Sequence, residues 1–270
     1  MTGGVSRLLG TWRGNLLYAS VVVAAAVAVL APAMPQSLAY HAFADDRTIG
    51  SIPNALNVLS NLPFLVGGVA GLLLIQRGGG AFTEPRERLL YQVFFLGALL
   101  TSFGSAWYHL APDNARLVWD RLPMTLGFSG LVCAAIAERA DAGLGRGMLW
   151  EVLLLGAGTV FWWQLTEQRG HGNVIPYGAF QSWSVLVILL LILAFPAFRY
   201  SHGSLLVWAA TWYALAKLFE TFDADVYRLT GETVSGHTIK HLLAAGAVFA
   251  VLRQLRLRRA QSDPKLALPL

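Results

Sequence analysis

Long apolar blocks alternate along the chain with short polar joints. Eight blocks can be drawn: Asn15–Pro32, Asn54–Ile75, Leu89–Leu110, Trp119–Ala137, Leu149–Leu165, Ala179–Phe198, Leu205–Glu220 and Gly236–Leu252. Their apolar residues run continuously rather than along one helical stripe, which is the pattern of segments surrounded by hydrocarbon and protein. The joints are turn-rich, as in Arg77-Gly-Gly-Gly80 and Asp141-Ala-Gly-Leu-Gly145. Lipid offers backbone N–H and C=O groups no partner, so such blocks satisfy themselves as helices. The expectation is an all-α, polytopic membrane helical bundle. It has a seven-helix core over residues 36–253, one additional N-terminal helix within 1–35, and a basic tail over 254–270.

Composition supports that picture. Of 270 residues, 56% are hydrophobic and 13% charged, about half the charge fraction of soluble domains. The formal charge of +5 does not point to nucleic acid, because the basic residues follow topology. Arg7, Arg13, Arg77, Arg86, Arg88, Arg139, Arg146, Arg199, Arg253, Arg256, Arg258, Arg259 and Lys265 fall on one side; Arg47, Arg116, Arg121, Arg169 and Arg228 fall on the other. The first side is expected to be cytoplasmic, with both termini inside. The basic run Arg253–Arg259 reads as an anchor for the last helix. The first block, flanked by Arg7, Arg13 and Ala31-Pro-Ala33, also reads as a secretory signal peptide. Its removal would leave seven helices in the same orientation. A single cysteine, Cys133, excludes an intrachain disulfide and a cysteine-based metal site.

That topology sorts the polar residues by depth. Ser105 and His109 lie at the outer end of the third block, Asp120 at the outer start of the fourth, and His237 and His241 in the first turns of the last. All five share the non-cytoplasmic side. An ionisable group inside a membrane costs roughly 2.5–3.5 kcal/mol on insertion scales, so it needs a partner or a function. A lone histidine would be read as a helix–helix hydrogen bond. Three at one depth, two of them at i and i+4, suit a metal ion. Three imidazoles with one position left open are a catalytic zinc arrangement. Thr238 follows His237 where a protease-type motif would carry a glutamate base, so Asp120 is the available carboxylate. Its alternative role is to hold a ligand histidine by the other ring nitrogen. Ser105 is a candidate oxyanion donor, or a hydroxyl bonded back to its own helix.

This set resembles the alkaline ceramidase family, within the superfamily that also holds the adiponectin-receptor-like proteins. The superfamily pattern is Ser-x-x-x-His on one core helix, an Asp on the next and His-x-x-x-His on the last. It is matched in order by Ser105/His109, Asp120 and His237/His241. Asn54-Ala-Leu-Asn-Val-Leu-Ser-Asn61 and Asp120-Arg-Leu-Pro123 carry the likeness to ceramidases, and it spans roughly Asn54 to Leu252. The resemblance implies a zinc-dependent hydrolase that cleaves the amide of a ceramide-like N-acyl lipid reaching the site from the bilayer. In that reading Ser105 and Asp120 are catalytic and His109, His237 and His241 hold zinc. The family's calcium site, built around an Asp-Trp-x-Glu-x-Asn run, is replaced by Asp45-Asp-Arg-Thr-Ile-Gly50, with Asn54 where a glutamate is expected. Asp45, Asp46, Asn54 and Asn57 remain candidate calcium ligands, the alternative being a solvated loop and helix cap. A receptor-like or regulatory protein with structural zinc is the alternative function, and the sequence names no protein partner.

The remaining polar residues have simpler readings. Lys217 and Glu220 form an i,i+3 pair; Lys240 is turned off the histidine face, a partner for Glu220, Asp223 or Asp225 or a contact for an acidic head group; and the two aspartates are outer-loop charges, the alternative being that one borders the site. Gln164, Glu167, His171 and Tyr177 are candidates for lining an entrance.

Overall fold

A computed structural model describes residues 8, 10–195 and 199–261. Among these residues the chain is helical throughout, with two isolated bridges and no strand. The elements are α1 (Trp12–Leu30), a short tight turn of helix (Leu38–His41), α2 (Ala55–Leu59), α3 (Leu62–Gln76), α4 (Glu87–Leu110), α5 (Asn114–Arg139), α6 (Ala142–Gly147), α7 (Leu149–Gln168), α8 (Ile175–Ala194), α9 (Leu205–Thr221), α10 (Asp223–Leu229) and α11 (Gly236–Leu257). Arg7, Lys265 and most of the tail lie outside the described residues.

Among the described residues each apolar block carries helix, the second in two pieces, and the ends follow local chemistry. Thr11, Asp113, Asp141 and Ser235 each accept a hydrogen bond from the backbone N–H three residues on, capping α1, α5, α6 and α11. The Asp113 cap starts α5 five residues before the apolar block, so Asp120 sits two turns inside the helix rather than at its start. The second block is broken at Ser60–Asn61. There Asn61 Nδ2 donates to the Asn57 carbonyl at 2.8 Å, and Pro63 contributes no N–H to the next turn.

Five stretches are long and apolar enough to cross a membrane: Trp12–Leu30, Ala55–Gln76, Glu87–Leu110, Ile175–Ala194 and Gly236–Leu257. That is consistent with a multi-pass membrane protein. α5, α7 and α9 are not among them: α9 has 17 residues, and α5 carries Asp120, Arg121, Glu138 and Arg139. Those four α5 side chains are all buried, so the charge that lowers the helix's hydropathy faces protein. The outer surface is apolar, with Leu193, Val29 and Leu154 each at least 74% exposed. In water so much apolar surface would drive association.

The tightest pairing is α4 against α5. A Cβ on Gly104 would stand 1.9 Å from the Trp119 carbonyl oxygen, and one on Gly97 would stand 2.4 Å from the Gly127 nitrogen. Small residues bring these two backbones together, the usual device where helices gain little from expelling water. The contact sets Ser105 beside Asp120. α9 packs on α11, and α1 packs on α8, where Trp183 Nε1 donates to Ser20 Oγ at 3.3 Å.

At the end of the bundle away from the histidines, Arg258 does more than anchor the last helix. It is buried, paired with Glu138, stacked on Tyr200 at 4.0 Å, and donates to the Gly80 carbonyl at 2.5 Å. Tyr91 and Gln254 donate to the same carboxylate at 2.7 and 3.2 Å. Arg258→Ala leaves Glu138 buried and uncompensated, so it is expected to destabilise the fold by about 3–5 kcal/mol. Thermal unfolding of the detergent-purified protein measures this; an unchanged midpoint contradicts a structural role for the pair.

Candidate metal centre

His109 lies one turn after Ser105 on α4, and both side chains are buried. His237 and His241 occupy the first turns of α11, also one turn apart and buried. Two contacts hold that helix end in place. Gly236 lies so close to α9 that a Cβ would come within 2.3 Å of the Phe219 carbonyl oxygen. The His237 N–H, one of the donors every helix start leaves unpaired, donates to Asp223 Oδ1 at 2.7 Å. Asp223 Oδ2 accepts from Ala44 N at 3.0 Å. Asp223, expected to be a loop charge, thus ties the 42–45 loop, α10 and α11 together.

The three imidazoles converge. Their ring centroids are 4.8–4.9 Å apart, and one nitrogen from each lies within 4.8 Å of the other two. Both ring nitrogens of His109 are buried without a hydrogen-bond partner among the described residues. Buried polar atoms are nearly always satisfied, and an imidazole can accept a metal ion in place of a proton donor. Ser60 fixes the state of His241. Its hydroxyl donates to the Asn57 carbonyl at 3.1 Å, so it accepts from His241 Nδ1 at 2.8 Å. That leaves the Nε2 lone pair of His241 free, the arrangement that orients a metal-ligating histidine. The group could hold a metal ion, and the donor set suits zinc. The ring of Phe43 covers one side, 4.6 Å from His109 and 4.5 Å from His237.

A cavity of about 640 Å³ opens beside the triad, lined by His241, Ser105, Asp120, Arg121, Lys240 and Glu220 at its polar end. Phe94, Phe128, Ile188, Leu206 and Val248 line the rest, and Val23 and Val27 of α1 contribute a wall. Ser105 and Asp120 face the cavity side by side, where α4 meets α5 at Gly104. Lys240 pairs with Glu220 at 2.9 Å and also comes within 3.4 Å of His237 Nε2. It therefore borders the site, closer to the histidines than its place in the sequence suggests. Tyr177 lines the cavity, whereas Gln164, Glu167 and His171 do not.

The candidate calcium residues serve other partners. Asp45 is gripped by Arg47, whose Nε and Nη2 donate to its two oxygens at 2.7 and 2.8 Å. Those hydrogen bonds hold its carboxyl below the usual carboxylate range. Asn57 donates to the Asp45 carbonyl at 3.1 Å and accepts from Thr238 at 2.9 Å. Asn54 donates to the His109 carbonyl at 2.9 Å, and Asp46 is exposed. Together these residues fasten the loop before α2 to the histidine helices.

Sequence reasoning did not single out Ser60, Phe43 or Arg121 for the site. Ser60 lies inside the quoted Asn54–Asn61 motif and Arg121 inside Asp120–Pro123; nothing local marks Phe43. Ser60→Ala is expected to weaken metal affinity 10- to 100-fold, the usual effect of losing a ligand's hydrogen-bond partner. Chelator competition on the purified protein reads this, and an unchanged affinity would contradict the assigned role of Ser60. Comparison of the chain with protein-family models gives no match, and comparison with curated proteins gives none either, so the functional reading rests on residues and geometry.

Proposed function

We propose that this protein is a membrane-embedded, zinc-dependent hydrolase that cleaves the amide of a ceramide-like N-acyl lipid. In this reading the α2–α3 pair, α4, α5, α7, α8, α9 and α11 form a seven-helix core, and α1 is an additional helix against α8. The observation that carries the reading is the pairing of a buried histidine triad, with both nitrogens of His109 unpartnered among the described residues, with a largely apolar cavity that also meets Ser105 and Asp120. A closed structural metal site needs no such cavity.

The side chains have distinct tasks. His109, His237 and His241 would hold the ion, with Ser60 orienting His241. Bound there, zinc supplies Lewis acidity toward a carbonyl oxygen and makes water acidic enough to ionise near neutral pH. Asp120 borders the cavity on α5, independent of the ligand helices, and is the group to take a proton from the attacking water and return it to the leaving nitrogen. Ser105 lines the cavity beside Asp120, and its hydroxyl is the candidate donor to the oxyanion of the tetrahedral intermediate. The apolar wall from Phe94 to Val248 holds the acyl chain and keeps bulk water out.

Asp120→Asn is expected to lower kcat about 10²- to 10⁴-fold, the range of a general acid–base group, while zinc content stays at the unsubstituted level. His237→Ala is expected to lose both. Turnover of a panel of N-acyl lipids, measured beside elemental analysis, checks the pair. Full turnover in Asp120→Asn would sink the assignment, and a panel left uncleaved by the zinc-loaded protein would favour a receptor-like role.

A further inference from the structure

Arg121 follows Asp120 on α5, lines the same cavity and is 6% exposed. Its guanidinium lies 4.3 Å from the centre of the Trp163 ring, 4.8 Å from Tyr177 and 5.6 Å from Tyr40. Nη2 donates to Gln36 Oε1 at 2.6 Å. Nη1 is buried and has no hydrogen-bond partner among the described residues, and no ion pair among them includes Arg121. Aromatic faces offset the desolvation of a cation only in part. A buried guanidinium with an open donor and no carboxylate partner is a costly arrangement for a purely structural residue.

The other buried cation of the lining, Lys240, is already bound by Glu220. No carboxylate is bonded to Arg121, so its open donor is the one that an incoming anion would meet. A carboxylate has the charge and the planar geometry that a guanidinium matches.

We propose that the lipid bound in this cavity carries a carboxylate, held by Arg121 at the polar end beside the histidines. This rests on the cavity being the lipid-amide site and narrows what it takes. The carboxylate belongs either to the head group, making the substrate an N-acyl amino acid, or to the fatty acid released on cleavage. A neutral diol head group would leave Arg121 uncompensated.

Two pairs of probes separate these sources in direct binding to the full-length, detergent-purified protein. N-oleoylglycine and N-oleoylethanolamine differ in the head-group carboxylate; oleate and oleyl alcohol differ in that of the fatty acid. The expected result is about 10- to 100-fold tighter binding of the acidic member of at least one pair, the range a charge-assisted hydrogen bond supplies. Arg121→Gln should abolish that preference and Arg121→Lys should keep part of it. A preference within the first pair assigns the head group, and one confined to the second assigns the product. Equal affinities within both pairs, or a preference that survives in Arg121→Gln, overturn the inference. The unsubstituted protein alone decides the first point, so a variant that fails to fold does not protect it. Recovering the bound lipid after each titration separates the two failures: a mistaken hydrolase assignment shows as acidic lipid bound and left intact, whereas a mistaken Arg121 assignment shows as equal binding.

Discussion

Three imidazoles packed together in a nearly dry interior are the constraint on which the rest of this protein depends. Among the described residues His109 has no hydrogen-bond partner for either nitrogen. Such an arrangement is costly in the bare protein and favourable around a cation. The free energy lost in assembling the site would be recovered on binding a metal ion, which would couple binding to the packing that brings His109 of α4 against His237 and His241 of α11. Hydrogen bonds from the surrounding loops support that packing. Ser60 sits at the break between α2 and α3, Asn54 holds the His109 carbonyl, and Asp223 caps the start of α11 while tying down the loop that carries Phe43.

The second constraint is the close approach of α4 and α5. Without a side chain at Gly104, the backbone of α4 meets the Trp119 carbonyl directly, and Ser105 and Asp120 become neighbours. Arg121, one residue on, belongs to the same stretch of α5 and reaches the aromatic cluster of Trp163, Tyr177 and Tyr40. One helix thus contributes both the proposed proton carrier and the proposed anion contact, while two other helices carry the histidines that could hold an ion. That division lets the carboxylate be removed without removing a ligand.

Much of this was legible in the chain because the signals are local. A helix that meets lipid needs a long apolar block, and each block became a helix. The i,i+4 spacing of His237 and His241 and of Ser105 and His109 is fixed by helical geometry, and the expectation that the three histidines meet is matched by their convergence. What stayed hidden depends on contacts between distant segments. Glu138 and Arg258 are 120 residues apart in sequence, so a buried tail arginine looked like an ordinary membrane anchor. Asp45 looked like a cation ligand, because a carboxylate carries no mark of the arginine that will occupy it. The start of α5 was missed because Asn114-Ala-Arg116 is polar, although Asp113 gave the capping signal.

The metal is the centre of the account, and its coordination can be measured directly. Zinc K-edge X-ray absorption of the purified full-length protein should show one ion per chain, with three imidazole nitrogens at about 2.0–2.1 Å and a further light-atom position open to exchange. An absent zinc edge in protein with an intact triad, or a shell closed by a fourth protein ligand, would contradict it.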